Sequence, residues 1–318
     1  MGGLLLVRPT PEIAFDPLQP RSVAALSDDV NVHRRLTARG VTMDPTEDSA
    51  ADTALLTLDR HRDRARADVA RGLRRLRPGG TLLIDGAKTD GVDALLRRIR
   101  THLPLDGVLP KSHGKVAWLT RPAETPAELL AWSRFAAPQQ NWSGYVTAPG
   151  MFSHEKVDAG TQILADRITG PLSGRIADLG AGWGALTALI LPKLAEDAEI
   201  ELVDTDRAAL QVALENTKDP RVKTVWQDVT QLDPDNGAFD TVVSNPPFHE
   251  GRAADPTLGV AFIRAAARLL KPKGVLWLVA NRHLPYEKTL DAAFRTWEEA
   301  GSPGAFKVLR AQAPKRVA

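Results

Sequence analysis

The sequence predicts an α/β protein of two tandem domains, each built on a doubly wound, largely parallel sheet. Short apolar segments alternate with helical ones in the second half, and the first half repeats part of that pattern. A stretch rich in proline and polar residues separates the halves. Strands that alternate with helices are typical of parallel sheets, because each crossover between parallel strands needs a helix. We place the boundary near residue 140, which gives domains 1–140 and 141–318.

In the second half, a short strand at 175–179 runs into glycines and is followed by a helix over 185–194. Residues 295–299 and 306–310 flank a Gly-Ser-Pro-Gly turn and predict a terminal hairpin, with one strand antiparallel to the rest. Between the helix over 185–194 and this hairpin, the pattern predicts seven more segments. In order, they are a strand at 199–203, a helix at 207–216, strands at 222–226 and 239–244, a helix at 258–270, a strand at 275–280 and a helix at 287–296.

The first half carries a partial copy of this pattern. A-D-T-A-L-L at 51–56 parallels F-D-T-V-V-S at 239–244, and R-P-G-G at 77–80 parallels K-P-K-G at 271–274. Around these motifs the copy predicts a helix, a strand and a further helix, over 65–76, 81–84 and 92–99. It has no glycine-rich loop after a strand, and T-L-D-R at 57–60 stands where the second half has N-P-P-F. We therefore predict a duplicated fold whose first copy is degenerate.

Composition excludes several kinds of chemistry. The chain has no cysteine, so disulfides, thiol nucleophiles and thiolate metal sites are excluded. Its seven histidines show no metal-binding spacing, and we expect no metal. With 41 basic and 39 acidic residues, the net charge does not by itself indicate nucleic acid. No stretch approaches about 20 apolar residues, so we expect a cytoplasmic protein without a membrane segment.

A glycine-rich loop reads D-L-G-A-G-W-G at 178–184, between a predicted strand and a predicted helix. Gly180, Gly182 and Gly184 remove the side chains that would keep a ligand from the backbone. The helix behind them offers free N–H groups to that ligand. Asp204, at the end of the next strand, can accept hydrogen bonds from both ribose hydroxyls of an adenosine.

The loop alone leaves its ligand open. The same glycines with Ala185 also satisfy the dinucleotide fingerprint, so a nicotinamide-dependent dehydrogenase is a competing interpretation. Asp178 favours a cationic group, such as the amino group of S-adenosylmethionine, and would repel a pyrophosphate. The terminal hairpin is not expected in a dinucleotide domain. Asp228 can meet an adenine 6-amino group, or it can simply cap the turn at Val229.

The motif N-P-P-F at 245–248 follows the predicted strand 239–244. The Asn245 side chain and the Pro246 carbonyl are acceptors that together can hold the two hydrogens of a planar amino group. Pro246 and Pro247 fix the backbone before the substrate arrives. Phe248 can stack on a base, which contributes about 1–3 kcal/mol. The motif therefore predicts chemistry at an exocyclic amine.

Together, the glycine loop, Asp204 and N-P-P-F resemble a class I S-adenosylmethionine-dependent methyltransferase that acts on an exocyclic amine. More narrowly, the chain resembles the bacterial ribosomal RNA guanine-N2 methyltransferases of the RsmC/RlmG type, over nearly all of residues 145–312. The narrower match rests on P-G-M-F-S at 149–153, V-D-A-G at 157–160, S-N-P-P-F-H-E-G at 244–251, V-A-N at 279–281, L-P-Y at 284–286 and F-K-V at 306–308.

The resemblance implies two tandem Rossmann-like methyltransferase domains, of which the second has a seven-stranded sheet with a terminal hairpin. It implies S-adenosylmethionine over the glycine loop, with ribose on Asp204 and adenine near Asp228, and S-adenosylhomocysteine as the product. Phe152 and Asp158 would lie near the methionine end of the cofactor. Trp183 departs from many family members, which have a small or polar residue there, so its indole either packs against the cofactor or restricts it.

The resemblance also implies the substrate. Asn245 to Phe248 would hold the 2-amino group of a guanine in ribosomal RNA, with the small subunit favoured. The partner would be ribosomal RNA or a ribosomal subunit, and we expect a monomer. The alternatives are methylation of adenine in DNA or of glutamine in a protein, both compatible with N-P-P-[FY], and a non-catalytic RNA-binding assembly factor.

An arginine-rich segment in the first domain is a second candidate contact with RNA. Eight arginines lie within residues 60–77, against Asp63 and Asp68. The segment is either a phosphate-binding stripe or the solvated face of a helix. The first domain is therefore a candidate for RNA binding.

Overall fold

The computed structural model describes residues 2–46, 50–232, 239–247, 249–250, 253–254, 256–301 and 304–315, with only the backbone at 249–250 and 253–254. The chain divides into two compact units, Met1–Pro138 with Ala148–Gly150, and Gln139–Thr147 with Met151–Ala318. Each unit carries one seven-stranded sheet. Within the described residues, no helix has the length and apolar character needed to cross a membrane.

The sheet of the first unit is parallel except for one strand, which runs antiparallel to both of its neighbours. In chain order the elements are β1 (Gly3–Val7), β2 (Ser22–Leu26), α1 (Val30–Thr37), β3 (Thr42–Met43), β4 (Ala51–Thr57), α2 (Arg62–Arg75), β5 (Leu76–Ala87), α3 (Val92–Arg100), β6 (Gly107–Lys111), β7 (Gly114–Thr120) and α4 (Ala127–Leu130). The strand order is β3-β2-β1-β4-β5-β7-β6, and β7 is the antiparallel strand.

The second unit repeats this architecture and adds two short hairpins. Its elements are β8 (Gln139–Gln140), β9 (Val146–Thr147), α5 (Ala159–Arg167), β10 (Arg175–Leu179), α6 (Ala185–Ile190), β11 (Glu199–Asp204), α7 (Arg207–Thr217), β12 (Val222–Trp226), β13 (Phe239–Ser244), β14 (His249–Glu250), β15 (Ala253–Ala254), α8 (Pro256–Leu269), β16 (Leu270–Asn281), α9 (Glu287–Ala293), β17 (Phe294–Gly301) and β18 (Phe306–Pro314). The large sheet has the order β12-β11-β10-β13-β16-β18-β17, with β18 antiparallel to β16 and β17.

The two sheets confirm the predicted duplication. Numbered from its own first strand, each sheet has the order 3-2-1-4-5-7-6. Each also shows a register shift at the same place, between Ala51 and Thr53 in β4 and between Phe239 and Thr241 in β13. The predicted α/β class with two tandem Rossmann-like domains and a terminal hairpin is therefore confirmed.

β13 shows why the central strands read as apolar runs. Val242 and Val243 are both fully buried, and they belong to separate hydrophobic clusters, one on each face of the sheet. A central parallel strand is covered by helices on both faces, so consecutive residues are apolar instead of alternating. This burial fixes the register in which β13 delivers Asn245 to the edge of the sheet.

Two predicted helices were too long. The helix predicted over 287–296 ends at Ala293, because Phe294 is buried and the following residues pair as β17 with β18. The helix predicted over 185–194 ends at Ile190 and continues as a short 3-10 turn. Pro192 lies in that turn, and its missing N–H is incompatible with a continuing α-helix.

Candidate active site

Two loops meet at the carboxyl edge of the second sheet. β10 and β13 are parallel neighbours, with Leu179 opposite Ser244, so Gly180 and Asn245 leave adjacent strands at the same level. The buried Ser244 hydroxyl donates a hydrogen bond of 2.7 Å to the Leu179 carbonyl. A Cβ on Gly180 would lie 3.9 Å from Cδ of Pro247. The glycine loop and the N-P-P motif, separated in sequence, therefore share one site.

The three glycines of the loop serve different purposes. Gly180, Gly182 and Gly184 have φ angles of +72°, +53° and +81°, which L side chains rarely adopt. A Cβ on Gly184 would lie 2.9 Å from Cβ of Ala213, and one on Gly180 would lie 3.0 Å from the Phe262 ring. Among the described residues, no atom lies within 4 Å of the corresponding position on Gly182. Packing explains the outer glycines, and Gly182 leaves open space beside the backbone.

Asp204, at the end of β11, is tied to the glycine loop. Its Oδ2 accepts a hydrogen bond of 2.8 Å from the Gly182 amide, and its Oδ1 accepts one of 2.9 Å from the Asp206 amide. Burial raises the pKa of this half-buried carboxyl group to about 6, although the backbone hydrogen bonds favour its charged form. Each oxygen keeps acceptor capacity for a further donor.

Asp178 is a buried carboxyl group directly before the glycines. It is 1% exposed, and it accepts a hydrogen bond of 2.7 Å from the Thr187 hydroxyl. Burial raises the pKa of Asp178 to about 7, and the neighbouring Asp204 adds to the shift. A cation placed beside this group would favour its charged form. The pair of acids therefore fits a ligand that carries both hydroxyl donors and a positive charge.

Asn245 is oriented by two side chains of the α5 region. Its Nδ2 donates to Oδ2 of Asp158 at 3.0 Å and to the Thr161 hydroxyl at 2.8 Å. Its Oδ1 is buried, and no donor among the described residues reaches it. A buried acceptor without a donor carries a free-energy cost of about 1–3 kcal/mol. The amide is therefore held with its buried Oδ1 unpaired among the described residues.

Thr161 was not singled out from the sequence. The Asp158 carboxylate caps α5 by accepting from the Thr161 amide at 3.1 Å, so the cap brings the Thr161 hydroxyl beside Asn245. The signal that could have found it is an N-cap Asp three residues before a buried Thr. The predicted proximity of Asp158 to the methionine end of a cofactor stays a prediction.

Asp228 follows β12 and caps the short 3-10 helix Val229–Gln231. Its Oδ1 accepts from the amide and the hydroxyl of Thr230, at 2.8 and 2.7 Å. The capping interpretation offered by the sequence is thus observed. A cap leaves further acceptor capacity on the carboxylate, so the predicted contact with adenine stays a prediction.

The rest of the N-P-P-F motif is only partly described. Pro246 is buried and Pro247 is exposed. Phe248 lies outside the described residues, so its predicted stacking on a base stays a prediction. No group of three His, Asp or Glu side chains in the described parts of the chain could hold a metal ion.

The methyltransferase small domain family matches residues 144–310, more than half of the chain. The chain belongs to the methyltransferase small domain family. Within this family, relatives from Shewanella loihica and Serratia proteamaculans are both named ribosomal RNA small subunit methyltransferase C. The first is 31% identical over 74% of this chain and 69% of its own length. The second is 28% identical over 86% of this chain and 78% of its own length.

A solved structure is similar along almost the whole chain. It is the T. thermophilus 16S rRNA N2 G1207 methyltransferase (RsmC) in complex with AdoMet and guanosine. The TM-score is 0.84 at 28% identity, covering 98% of this chain and 88% of that chain. The similarity therefore extends beyond the segment that matches the methyltransferase small domain family, into the first unit.

Trp183, in the glycine loop of this member of the methyltransferase small domain family, is part of the packing. Its side chain is 3% exposed, and Nε1 donates to the Phe152 carbonyl at 2.8 Å. Its ring lies 5.5 Å from that of Tyr145. The Asn216 amide donates to the Trp183 carbonyl at 2.9 Å and to the Val146 carbonyl at 2.8 Å. Trp183 therefore binds the glycine loop to the segment before α5. In that segment the Phe152 side chain is exposed.

Replacing Trp183 with alanine is expected to destabilise the second unit by about 3–5 kcal/mol, because a large buried ring and its hydrogen bond are lost. The thermal unfolding midpoint should fall by roughly 10 °C in calorimetry. Trp142 is 81% exposed and provides the matched control. Trp142→Ala should change stability by less than about 0.5 kcal/mol. Equal midpoints for the two variants would contradict the packing role.

Proposed function

We propose that the chain transfers a methyl group from S-adenosylmethionine to the exocyclic 2-amino group of a guanine in 16S ribosomal RNA. The observation that carries this proposal is the buried Oδ1 of Asn245, which has no donor among the described residues and lies beside the glycine loop. The similarity to RsmC along 98% of the chain supports guanine as the base. Adenine in DNA, glutamine in a protein and a non-catalytic assembly role are not favoured, since the relatives are named for methylation of ribosomal RNA.

The residues of the second unit fit the cofactor. When bound, S-adenosylmethionine supplies an electrophilic methyl group. The open space beside Gly182 admits a ligand to the loop backbone, and Asp204 offers acceptors for ribose hydroxyls. Asp178 matches the positive amino group, because a cation offsets the cost of ionising a buried carboxyl group. The remaining proposed contacts are Gly180, Gly184, Phe152, Asp158 and Asp228.

Asn245 and Pro246 would position the amine. Oδ1 of Asn245 accepts one hydrogen of the amino group, and the Pro246 carbonyl accepts the other. Asp158 and Thr161 prevent the Asn245 amide from turning, since both bind its Nδ2. Two acceptors in this geometry take the nitrogen lone pair out of conjugation with the ring and direct it towards an electrophile. After transfer the nitrogen is cationic and acidic, so no strong general base is needed.

Pro247 and Phe248 would complete the substrate site. Pro247 stiffens the turn, which sets the direction of the Pro246 carbonyl before the substrate binds. Phe248 is proposed to stack on the guanine, as the sequence motif predicts.

The two domains would have different roles. We assign catalysis to residues 141–318, and we assign to residues 1–140 an inactive copy that binds RNA. In the first unit, Arg8 follows β1 where the glycine loop follows β10, and it pairs with Asp68, which is 4% exposed. In place of N-P-P-F, Asp59 pairs with Arg64 and accepts from the His61 amide at 2.8 Å. Ion pairs thus occupy both positions, where the second unit has the glycine loop and the Asn245 amide.

The partner on this proposal is ribosomal RNA, free or in the small ribosomal subunit. Such a substrate implies action in the cytoplasm, where ribosomes are assembled. We propose that the chain works as a monomer, since the glycine loop, the acids and Asn245 all come from one unit of one chain.

The test is methyl transfer from labelled cofactor to 16S rRNA, to small subunits and to a DNA control of equal length. Incorporation into the ribosomal substrates and not into DNA is expected. Label in DNA alone, or cofactor binding without transfer to any substrate, would contradict the proposed function.

A further inference from the structure

The first unit contains a cavity of about 690 Å³ at the start of α2, beside α3. Its volume lies in the range of small-molecule sites, which run from about 300 to 1,000 Å³. The cavity is unusually basic. Its charged lining consists of Arg60, Arg62, Arg66, Arg97, Arg98 and Asp90. We call these residues the arginine pocket.

Helical spacing brings the arginines together. Arg62 and Arg66 are one turn apart on α2, and Arg97 and Arg98 are consecutive on the last turns of α3. Arg60, in the loop before α2, completes the set. The arginine-rich sequence segment 60–77 contributes only three of the five, since Arg97 and Arg98 come from a different helix.

Four of the five guanidinium groups form no ion pair with the described residues, although Asp90 lines the same cavity and the pKa of Asp93 is lowered by Lys115 and, more weakly, by Arg97. Arg60, Arg62, Arg97 and Arg98 are exposed, and no carboxylate of the described residues lies within 4 Å of them. Arg66 pairs with Asp63 at 3.1 Å, and its guanidinium lies 5.1 Å from the Phe135 ring. Burial lowers the pKa of Arg66, and repulsion from Arg98 and Arg62 lowers it further. Like charges held this close favour binding of an anion.

Four of the other five arginines of segment 60–77 are paired within the first unit. Arg74 donates to the Leu130 carbonyl and the Ser133 hydroxyl, and Arg75 donates to the Pro45 carbonyl. Arg64 pairs with Asp59, and Arg77 pairs with Asp52. These four hold the unit together, so the segment is not a continuous stripe of free cations.

We propose that the arginine pocket binds phosphate groups of the RNA strand that the second unit modifies. Guanidinium groups match phosphate oxygens in bidentate geometry, and several of them around one cavity suit successive phosphates of a backbone. Phosphate contacts position an RNA without reading its sequence. The identity of the RNA rests on the proposed function. The binding of phosphate groups rests on the arginine pocket alone.

The test compares two double variants, Arg60→Gln/Arg62→Gln and Arg97→Gln/Arg98→Gln, with the control Arg35→Gln/Arg100→Gln. The control residues are exposed and lie outside the pocket. Binding of a 16S rRNA fragment is measured by fluorescence anisotropy over a series of salt concentrations. Each pocket variant should bind about tenfold more weakly at low salt. Its salt slope should fall by about 1.4, since each phosphate contact to a single strand contributes about 0.7.

Affinities and slopes equal to those of the control would overturn the proposal. Tripolyphosphate provides a second arm. If it binds the wild type in a pocket-dependent way while RNA binding is unchanged in the variants, the pocket serves a free polyphosphate, and the proposal fails. Methyl transfer is measured on the same preparations. If the wild type transfers methyl groups and the pocket variants bind RNA as tightly as the wild type, the role of the arginine pocket is contradicted and the proposed function is not. If RNA binding depends on the pocket and no methyl transfer occurs, the proposed function is contradicted and the role of the pocket is not.

Discussion

Asn245→Ala is expected to lower the rate of methyl transfer by at least about a hundredfold, because the amine loses the acceptor that positions it. The affinity for S-adenosylmethionine should stay within a few fold, since the carboxylates of Asp178 and Asp204 are untouched. Single-turnover kinetics and calorimetry of cofactor binding measure the two quantities separately. A variant that still turns over at the wild-type rate would remove Asn245 from the mechanism.

Thr161→Val sharpens this test. The change keeps the side-chain volume and removes one of the two acceptors that hold Nδ2 of Asn245. If Thr161 positions Asn245, the rate should fall by less than it does in Asn245→Ala, with unchanged cofactor affinity. A loss of cofactor affinity in Thr161→Val would instead indicate damage to the fold around α5.

Asp178→Asn is expected to have opposite effects on stability and on cofactor binding. In the ligand-free protein the pKa of Asp178 is about 7, against about 4 in the unfolded chain. Between these pH values the native state binds more protons than the unfolded state, so the free energy of unfolding falls as the pH rises. The pKa shift of about three units corresponds to a loss of about 4 kcal/mol in the free energy of unfolding, which is complete once the pH is above about 7. Asp204, whose pKa is also raised, adds a contribution of the same sign.

Asparagine removes this charge and can still accept from the Thr187 hydroxyl. The Thr187 backbone N–H also bonds to the Asp178 carboxylate, and the amide of asparagine cannot accept both bonds in the same way. Allowing about 1–2 kcal/mol for the loss of that second bond, the variant should be about 2–3 kcal/mol more stable at about pH 8. Its affinity for S-adenosylmethionine should fall, because the positive amino group loses its partner. Urea unfolding and calorimetry across pH measure both effects, with the exposed Asp197→Asn as the control. Unchanged cofactor affinity would refute the role given to Asp178.

The sequence predicted the central strands well because burial on both faces leaves a strong pattern. The central strands β10 and β13 have the predicted bounds, and so does β12, a partly buried strand at the edge of the sheet. The end of α9 was wrong, because β17 begins at Phe294, inside the predicted helix, and Phe294 pairs with Pro314 across the terminal hairpin. Local periodicity does not contain that contact.

The candidate active site likewise combines features that follow from local sequence with contacts that only the fold creates. The closeness of Gly182, Asp204 and Asn245 could be predicted because each follows a neighbouring strand of one sheet, while their roles stay predictions. The contacts of Asn245 with Asp158 and Thr161 span more than 80 residues, and only the fold brings them together. Likewise, Arg97 and Arg98 join Arg60 and Arg62 only because α3 packs beside the start of α2. From the sequence, Arg60 and Arg62 belonged either to a phosphate-binding stripe or to a solvated helix face, and Arg97 and Arg98 were not singled out.

The most direct test of the central claim is to map the methylated nucleotide. 16S rRNA or small subunits that have reacted with labelled cofactor are digested, and the modified nucleoside is identified by mass spectrometry. We expect N2-methylguanosine at one position, formed by the wild type and absent with Asn245→Ala. A methyl group on adenine, on another guanine atom or on a protein would contradict it.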